Sequence, residues 1–294
     1  MEKNILIGNA WPYANSSLHL GHIAALMSGD LLARYYRLKG DNVMFVSGSD
    51  CHGTPITERA RKEGRTPKEI ADSYDKEFRE VFNKFNFSYD LFSSTDTDYH
   101  KEHVKTLFKK LYDNGYIYEK IEPQCYCPQC NKFLADREVV LNCPECGEET
   151  KGDQCDNCLH VPTSEELIGG KCIVCGSKTI EKNNKILYLG LPKFQEQIEE
   201  HTEKVKNNWR VNARNETEKY LKQGLLERAV TRDITWGVEI PVEGYEDKRM
   251  YVWIDAVLGY LTDTMKVCEE KGLDWEDFWK KDRNNKIYMC HGKD

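Results

Sequence analysis

The stretch Ile5-Leu6-Ile7-Gly8-Asn9-Ala10-Trp11-Pro12-Tyr13-Ala14-Asn15-Ser16-Ser17-Leu18-His19-Leu20-Gly21-His22 decides the fold. Ile5–Gly8 is a short apolar run, the loop after it is polar and aromatic, and a long helical pattern opens at Leu18. A buried strand feeding a loop and then a helix is how an open α/β sheet presents a helix N-terminus to a phosphate. His19 and His22 stand three apart, which predicts both rings on one helical face near the positive end of the dipole. Gly21 between them leaves room for a flat ring to press on the helix. Two histidines at this spacing are by themselves more often surface or core residues. The strand–loop–helix setting is what predicts a triphosphate-nucleotide site built on neutral donors.

Working outward, the first helix is predicted from Leu18 to Lys39, stopped by Gly40. Val43-Met44-Phe45-Val46 reads as a second buried strand, with Asp50 and His52 directly after it. Ligands bind off the carboxyl ends of such strands, so that loop faces the crevice of His19. Thr66-Pro67-Lys68-Glu69 is a capping box with proline at the first helical position. Ile70, Tyr74, Phe78, Phe82 and Phe85 follow at helical spacing as a core face. A helix is predicted from Asp98 to Asn114 and another over Pro192–Asn207. Arg232–Pro241 reads as a loop or edge segment, Lys248–Ile254 as a strand and Lys286–Cys290 as a final strand. A strand is an unusual place for a domain to stop, which predicts that the chain is part of a longer enzyme.

The 294 residues suffice for one large domain or two smaller ones. Lys plus Arg number 42 and Asp plus Glu 49, a net charge of −7. That balance suits a soluble enzyme and lacks the basic excess of a nucleic-acid binder, so any tRNA contact is expected to be local. No apolar run approaches the ~20 residues of a membrane span, and the N-terminus shows no signal-peptide pattern. Eight of the twelve cysteines form four Cys-x-x-Cys pairs: Cys127/Cys130, Cys143/Cys146, Cys155/Cys158 and Cys172/Cys175. This favours metal in a reducing compartment, and hence a cytoplasmic protein. Four pairs so close predict two tetrahedral all-cysteine zinc sites of structural type, since four thiolates leave no open position. Iron–sulfur clusters and disulfides are weaker alternatives. Spacing does not say which pairs share an ion. Cys127–Gly147 and Cys155–Gly176 form a near-repeat, compatible with tandem or nested sites. Cys51, Cys125, Cys268 and Cys290 read as ordinary semi-buried thiols.

The block Asn9–His22 resembles the signature opening of the methionyl-tRNA synthetases, class I aminoacyl-tRNA synthetases, with Leu20 in the second place of their His-Ile-Gly-His motif. Gly48-Ser49-Asp50-Cys51-His52-Gly53-Thr54-Pro55-Ile56 and Tyr251-Val252-Trp253-Ile254-Asp255-Ala256 with Gly259-Tyr260 resemble further blocks of that family. The blocks come in family order across the whole chain. The resemblance implies an α/β, Rossmann-like parallel sheet interrupted by a connective insertion. Residues 1–117 would be the first half of the catalytic domain, 118–231 the insertion with zinc knuckles over 125–176, and 232–294 the return, its second half apparently truncated.

The implied reaction is activation of methionine with ATP to methionyl-adenylate, then transfer to tRNA(Met). His19, Gly21, His22, Gly292 and Asp294 would hold ATP, with Mg2+ as its counter-ion and His19 and His22 catalytic. Ala10, Trp11, Tyr13, Asp50, Trp253, Val257 and Tyr260 would hold methionine, Asp50 taking the α-ammonium. Many members have proline at the place of Val257. Arg232 would order the crevice. Family members that keep only the outer or only the inner cysteine pairs imply nesting: Cys143, Cys146, Cys155 and Cys158 for one zinc, Cys127, Cys130, Cys172 and Cys175 for the other. The Lys-Met-Ser-Lys-Ser loop and a helical anticodon-binding domain are not in this sequence, so it is expected to bind methionine but aminoacylate little. Another class I synthetase or His-x-Gly-His nucleotidyltransferase is the alternative. The aromatic trio Tyr13, Trp253 and Tyr260 weighs against branched aliphatic substrates. A non-catalytic zinc-knuckle nucleic-acid binder is opposed by the acidic balance.

Overall fold

The computed structural model describes residues 3–163, 165–280 and 284–291. The chain forms two compact units, one of Met1–Asn114, Phe194–Leu225 and Ile234–Asp294, the other of Gly115–Lys193 and Leu226–Asp233. The first unit opens with β1 (Asn4–Asn9), α1 (Leu20–Leu38), β2 (Asn42–Ser49), α2 (Thr54–Glu63), α3 (Pro67–Lys84), β3 (Leu91–Ser94) and α4 (Asp98–Asp113). The second holds β4 (Ile117–Cys127), β5 (Lys132–Phe133), β6 (Val139–Asn142), β7 (Glu149–Lys151), β8 (Lys171–Cys172) and β9 (Ile180–Leu189). The chain returns to the first unit for α5 (Gln195–Val205) and α6 (Val211–Gln223), then to the second for β10 (Arg228–Ala229) and β11 (Thr231–Arg232). β12 (Arg249–Met250), α7 (Val252–Lys271), α8 (Glu276–Trp279) and β13 (Asn285–Cys290) belong to the first.

The first unit is built on a four-stranded parallel sheet in the order β13–β1–β2–β3. Ile5 lies opposite Lys286 on one side and Val43 on the other, and Val46 opposite Leu91. Side chains of a strand alternate between faces, and both faces here are covered. Ile5, Ile7, Val43 and Phe45 pack with Ala33 of α1, while Leu6, Met44 and Val46 pack with Val267 and Cys268 of α7 and Phe278 of α8. That is why β1 and β2 read as unbroken apolar runs. β3 escapes such a reading, because it is four residues long and half serine.

The capping box before α3 forms as the sequence predicts: the Thr66 hydroxyl accepts from the Glu69 N–H, and the Glu69 carboxylate accepts from the Thr66 N–H. Ile70, Phe78 and Phe82 are buried and Tyr74 packs beside them. Phe85 does not join that face. α3 ends at Lys84, so Phe85 is its C-cap and stands half-exposed. The expected strand over Lys248–Ile254 is also corrected, since the strand is only Arg249–Met250 and α7 begins at Val252. The buried face of α7 includes Asp255, Thr262, Asp263 and Thr264, so no apolar stripe marks the helix.

In the second unit β4 and β9 pair antiparallel from Ile117↔Leu189 to Tyr126↔Ile180. The cysteine segment between them carries a small apolar cluster of Leu134, Val139, Leu141 and Leu167 beside Cys125, Cys127 and Cys172. So few apolar side chains bury little area, and the thiols complete the packing. Among the described residues no helix is long and apolar enough to cross a membrane.

Candidate active site and metal clusters

α1 begins at Leu20, two residues later than the apolar pattern suggests, because His19 is its N-cap. The two histidines cap the helix reciprocally. The Gly21 N–H donates to His19 Nδ1 at 3.1 Å, and the His19 N–H donates to His22 Nδ1 at 3.2 Å. Both Nδ1 atoms are acceptors, so each ring carries its proton on Nε2. The rings stack with centroids 3.8 Å apart. Burial, then the neighbouring His19, holds the His22 imidazole below its ordinary range, which keeps it a neutral donor. Gly21 is required here, since a Cβ on it would lie 2.9 Å from the His19 ring.

The loop Ala10–Ala14 is stitched to the end of β2. The Asp50 N–H donates to the Pro12 carbonyl at 2.9 Å, and the Ala14 N–H donates to the Asp50 carbonyl at 2.8 Å. The Ser47 hydroxyl donates to the Ala10 carbonyl at 3.1 Å. This places Trp11 and Tyr13 beside Asp50. Trp11 is clasped between two glycines: a Cβ on Gly48 would come within 2.5 Å of its ring, and one on Gly259 within 2.6 Å. Tyr260 packs edge-on to Trp11 with centroids 6.1 Å apart, as does Trp253 to Tyr13. Gly8 lies under Tyr260, where a Cβ would stand 2.7 Å from the ring. Aromatic pairs of this geometry add stabilisation beyond their buried area. Val257 sits one helical turn beyond Trp253 and is exposed.

Asp50 is 2% exposed, yet its carboxylate has no cation bonded to it among the described residues. A single N–H, from the His52 backbone, reaches Oδ1 at 3.3 Å. Burial, then repulsion from Asp255, pushes its carboxyl well above the usual range, only partly offset by His52. The His52 ring is held at both nitrogens, Nδ1 2.5 Å from Asp255 Oδ2 and Nε2 3.4 Å from Asp96 Oδ1. Two carboxylates facing two ring nitrogens call for a proton on each. Burial works against that charge, but Asp255 and Asp96 overcome it and carry His52 up to about 9. Asp255, itself fully buried, is held at about 2 against desolvation by His52 and by His100, whose Nε2 lies 2.7 Å away. Asp96 is further paired with Lys101 at 2.5 Å and Lys68 at 3.1 Å. A recess of about 500 Å³ opens beside these groups, but both its lysines are engaged by Asp96.

Asp255, His100 and Asp96 were not among the sequence candidates. One signal existed for Asp255: it is the lone charged residue in the apolar run Val252–Leu258. Arg232 lies in the second unit, where its guanidinium donates to the Ala229 and Thr231 carbonyls at 3.1 and 2.8 Å. Gly292 and Asp294 lie outside the described residues.

The eight paired cysteines form two groups, Cys127, Cys130, Cys172, Cys175 and Cys143, Cys146, Cys155, Cys158, a nested arrangement. The Sγ separations are 3.4 Å for Cys127–Cys175, 3.8 Å for Cys130–Cys172, 3.5 Å for Cys143–Cys158 and 3.6 Å for Cys146–Cys155. No disulfide joins them. Four thiolates around a tetrahedral zinc at ~2.3 Å stand about 3.8 Å apart, so both groups fit such an ion. Donors stand behind two of the thiols: the Asn157 side chain and Glu148 N–H lower Cys146, and Ser177 lowers Cys175, while Cys158 and Cys130 in the same groups are raised.

Residues 5–294 match the family of tRNA synthetases class I (M). The chain belongs to that family. It is 55% identical over 291 residues to methionine–tRNA ligase 1 of Alkaliphilus oremlandii and 52% identical over 293 residues to methionine–tRNA ligase of Bacillus mycoides, covering 99% of this chain and 54% of each relative. The chain thus spans about half the length of the curated relatives it matches. Its fold is similar to that of Mycobacterium tuberculosis methionyl-tRNA synthetase bound by methionyl-adenylate, with a TM-score of 0.66, 23% identity and coverage of 89% of this chain and 47% of that one.

Proposed function

We propose that the first unit carries the methionine-activating crevice of a cytoplasmic methionine–tRNA ligase that serves tRNA(Met). The observation that carries this reading is Asp50, a buried carboxylate without a cation, set beside Trp11 and Tyr13 at the carboxyl end of the sheet. A buried unpaired carboxylate favours a cationic ligand, and aromatic walls suit a thioether. An amino acid with an ammonium and a sulfur side chain meets both demands. Tyr260 and Trp253 complete the walls from α7, with Ala10 and Val257 at the margin. In adenylate formation the substrate's own carboxylate attacks the α-phosphorus of Mg2+-bound ATP, so the protein needs to position groups and stabilise charge. The Nε2–H groups of His19 and His22, beside Gly21, are neutral donors for the phosphates at a helix N-terminus. Gly292 and Asp294 belong to the ATP site on the family resemblance alone.

Calorimetric titration of the 294-residue chain tests the substrate. Methionine is expected to bind at least about tenfold tighter than leucine or isoleucine, the discrimination apolar pockets give for one altered group. Equal binding of the three would overturn the assignment.

Zinc at both cysteine groups belongs to the same reading, as a structural ion closing each knuckle. Protein purified without chelator is expected to carry two zinc ions by elemental analysis. Cys143→Ser is expected to empty the group that contains Cys155 and leave the one that contains Cys127 filled. Loss from the Cys127 group instead would overturn the nested ligand sets.

A further inference from the structure

We propose that Asp255 is a positioning residue that sets the span between Asp50 and the aromatic wall on α7, and so the length of amino-acid side chain the crevice accepts. This rests on the reading that Asp50 takes the ammonium and that Trp253 and Tyr260 take the side chain. Asp255 lies in the first turns of α7, between Trp253 and Val257. Its two oxygens accept from two different parts of the unit. Oδ2 faces Nδ1 of His52, on the loop after β2, at 2.5 Å, and Oδ1 faces Nε2 of His100, in α4, at 2.7 Å. The His52 backbone N–H in turn reaches the Asp50 carboxylate at 3.3 Å. One chain of bonds therefore runs from the pocket-bearing helix to the ammonium-bearing carboxylate. His100 pins the helix a second time, two turns on, through Nδ1 to the Thr262 hydroxyl at 2.9 Å.

Apolar contacts between a helix and a sheet tolerate small slides along the helix axis, whereas a bridge of directed hydrogen bonds does not. Replacing a buried ionic bridge by apolar residues is often no worse for stability, and the best-attested use of such bridges is fixing register. A slide of one helical residue is ~1.5 Å, comparable with the length of one methylene. A pocket fixed to that tolerance separates substrates differing by one methylene by about 10- to 200-fold.

The test compares methionine with S-methylcysteine, one methylene shorter, by titration of the 294-residue chain, with thermal melting as the check on folding. The unaltered protein is expected to prefer methionine at least about tenfold. Asp255→Asn keeps a polar bridge, accepting from His100 and donating to His52, whose proton then faces Asp96. It is expected to hold that preference within about threefold. Asp255→Leu, of similar shape but without polar atoms, is expected to cut it at least about fivefold. A general loosening would weaken both ligands alike and leave the ratio unmoved. A folded Asp255→Leu with an unaltered ratio overturns the proposal, and so does an Asp255→Asn that loses as much as Asp255→Leu. Should Asp255→Leu not fold, His52→Gln and His100→Gln each cut one link, and an unaltered ratio in both overturns it. Asp50→Asn separates the two readings. Wild-type methionine affinity there sinks the ammonium assignment, while a loss there with an unmoved ratio in Asp255→Leu sinks the positioning role alone.

Discussion

Replacing His22 with alanine, in the enzyme at the full length of its methionine–tRNA ligase relatives, is expected to slow methionine-dependent pyrophosphate exchange about 10²–10³-fold. The affinity for methionine should change far less, because His22 faces the phosphates in this reading. His19 Nδ1 accepts from the Gly21 N–H and His22 Nδ1 from the His19 N–H, which leaves both Nε2–H groups as donors preorganised for the phosphates in this reading. Capping and donation can be separated. Asparagine is a strong N-cap, so His19→Asn should keep α1 intact while withdrawing the longer-reaching Nε2–H. A melting temperature near that of the unaltered protein together with a rate loss of the same order is the expected pair of results. Exchange near the unaltered rate in both variants would remove the histidines from the chemistry.

Asp50→Asn is expected to weaken methionine binding by roughly 30- to 3,000-fold. Truncating one partner of a buried charge pair costs about 2–5 kcal/mol, and each ~1.4 kcal/mol is tenfold. The pH dependence follows from the surroundings of that carboxyl. Burial and the repulsion of Asp255 keep the free carboxyl protonated to unusually high pH. The arriving ammonium favours its ionised form, so binding displaces a proton. Methionine affinity should therefore fall as pH is lowered through that raised pKa and level off above it. Asp50→Asn, with no proton to displace, should lack that dependence. Titrations in buffers of different ionisation enthalpy count the released proton directly, and a release unchanged in Asp50→Asn would place it elsewhere.

Much of this was legible in the residues alone. Ile5-Leu6-Ile7 and Val43-Met44-Phe45-Val46 announce central parallel strands, because a strand covered on both faces has no polar side to show. Thr66-Pro67-Lys68-Glu69 marks a helix start because its bonds are local, and four Cys-x-x-Cys pairs announce thiol clusters able to hold a metal. Asp50 could be placed on the crevice loop because it follows a strand directly. What tertiary structure alone decided has one physical cause: the partners are far apart in sequence. Trp253 and Tyr260 ride on a helix whose buried face includes aspartate and threonine, so neither strand nor helix periodicity reveals it. β3 exists through its pairing with β2 rather than through its own composition. The pairing of Cys127 with Cys175 rather than with a nearer thiol depends on how the knuckles fold back. His52 and His100 give no sign of their partnership, and Asp255 only its lone charge in an apolar run, until folding buries all three together. Within a dry interior each carboxylate and imidazole must find the others, and that demand exists only once the surrounding chain has excluded water.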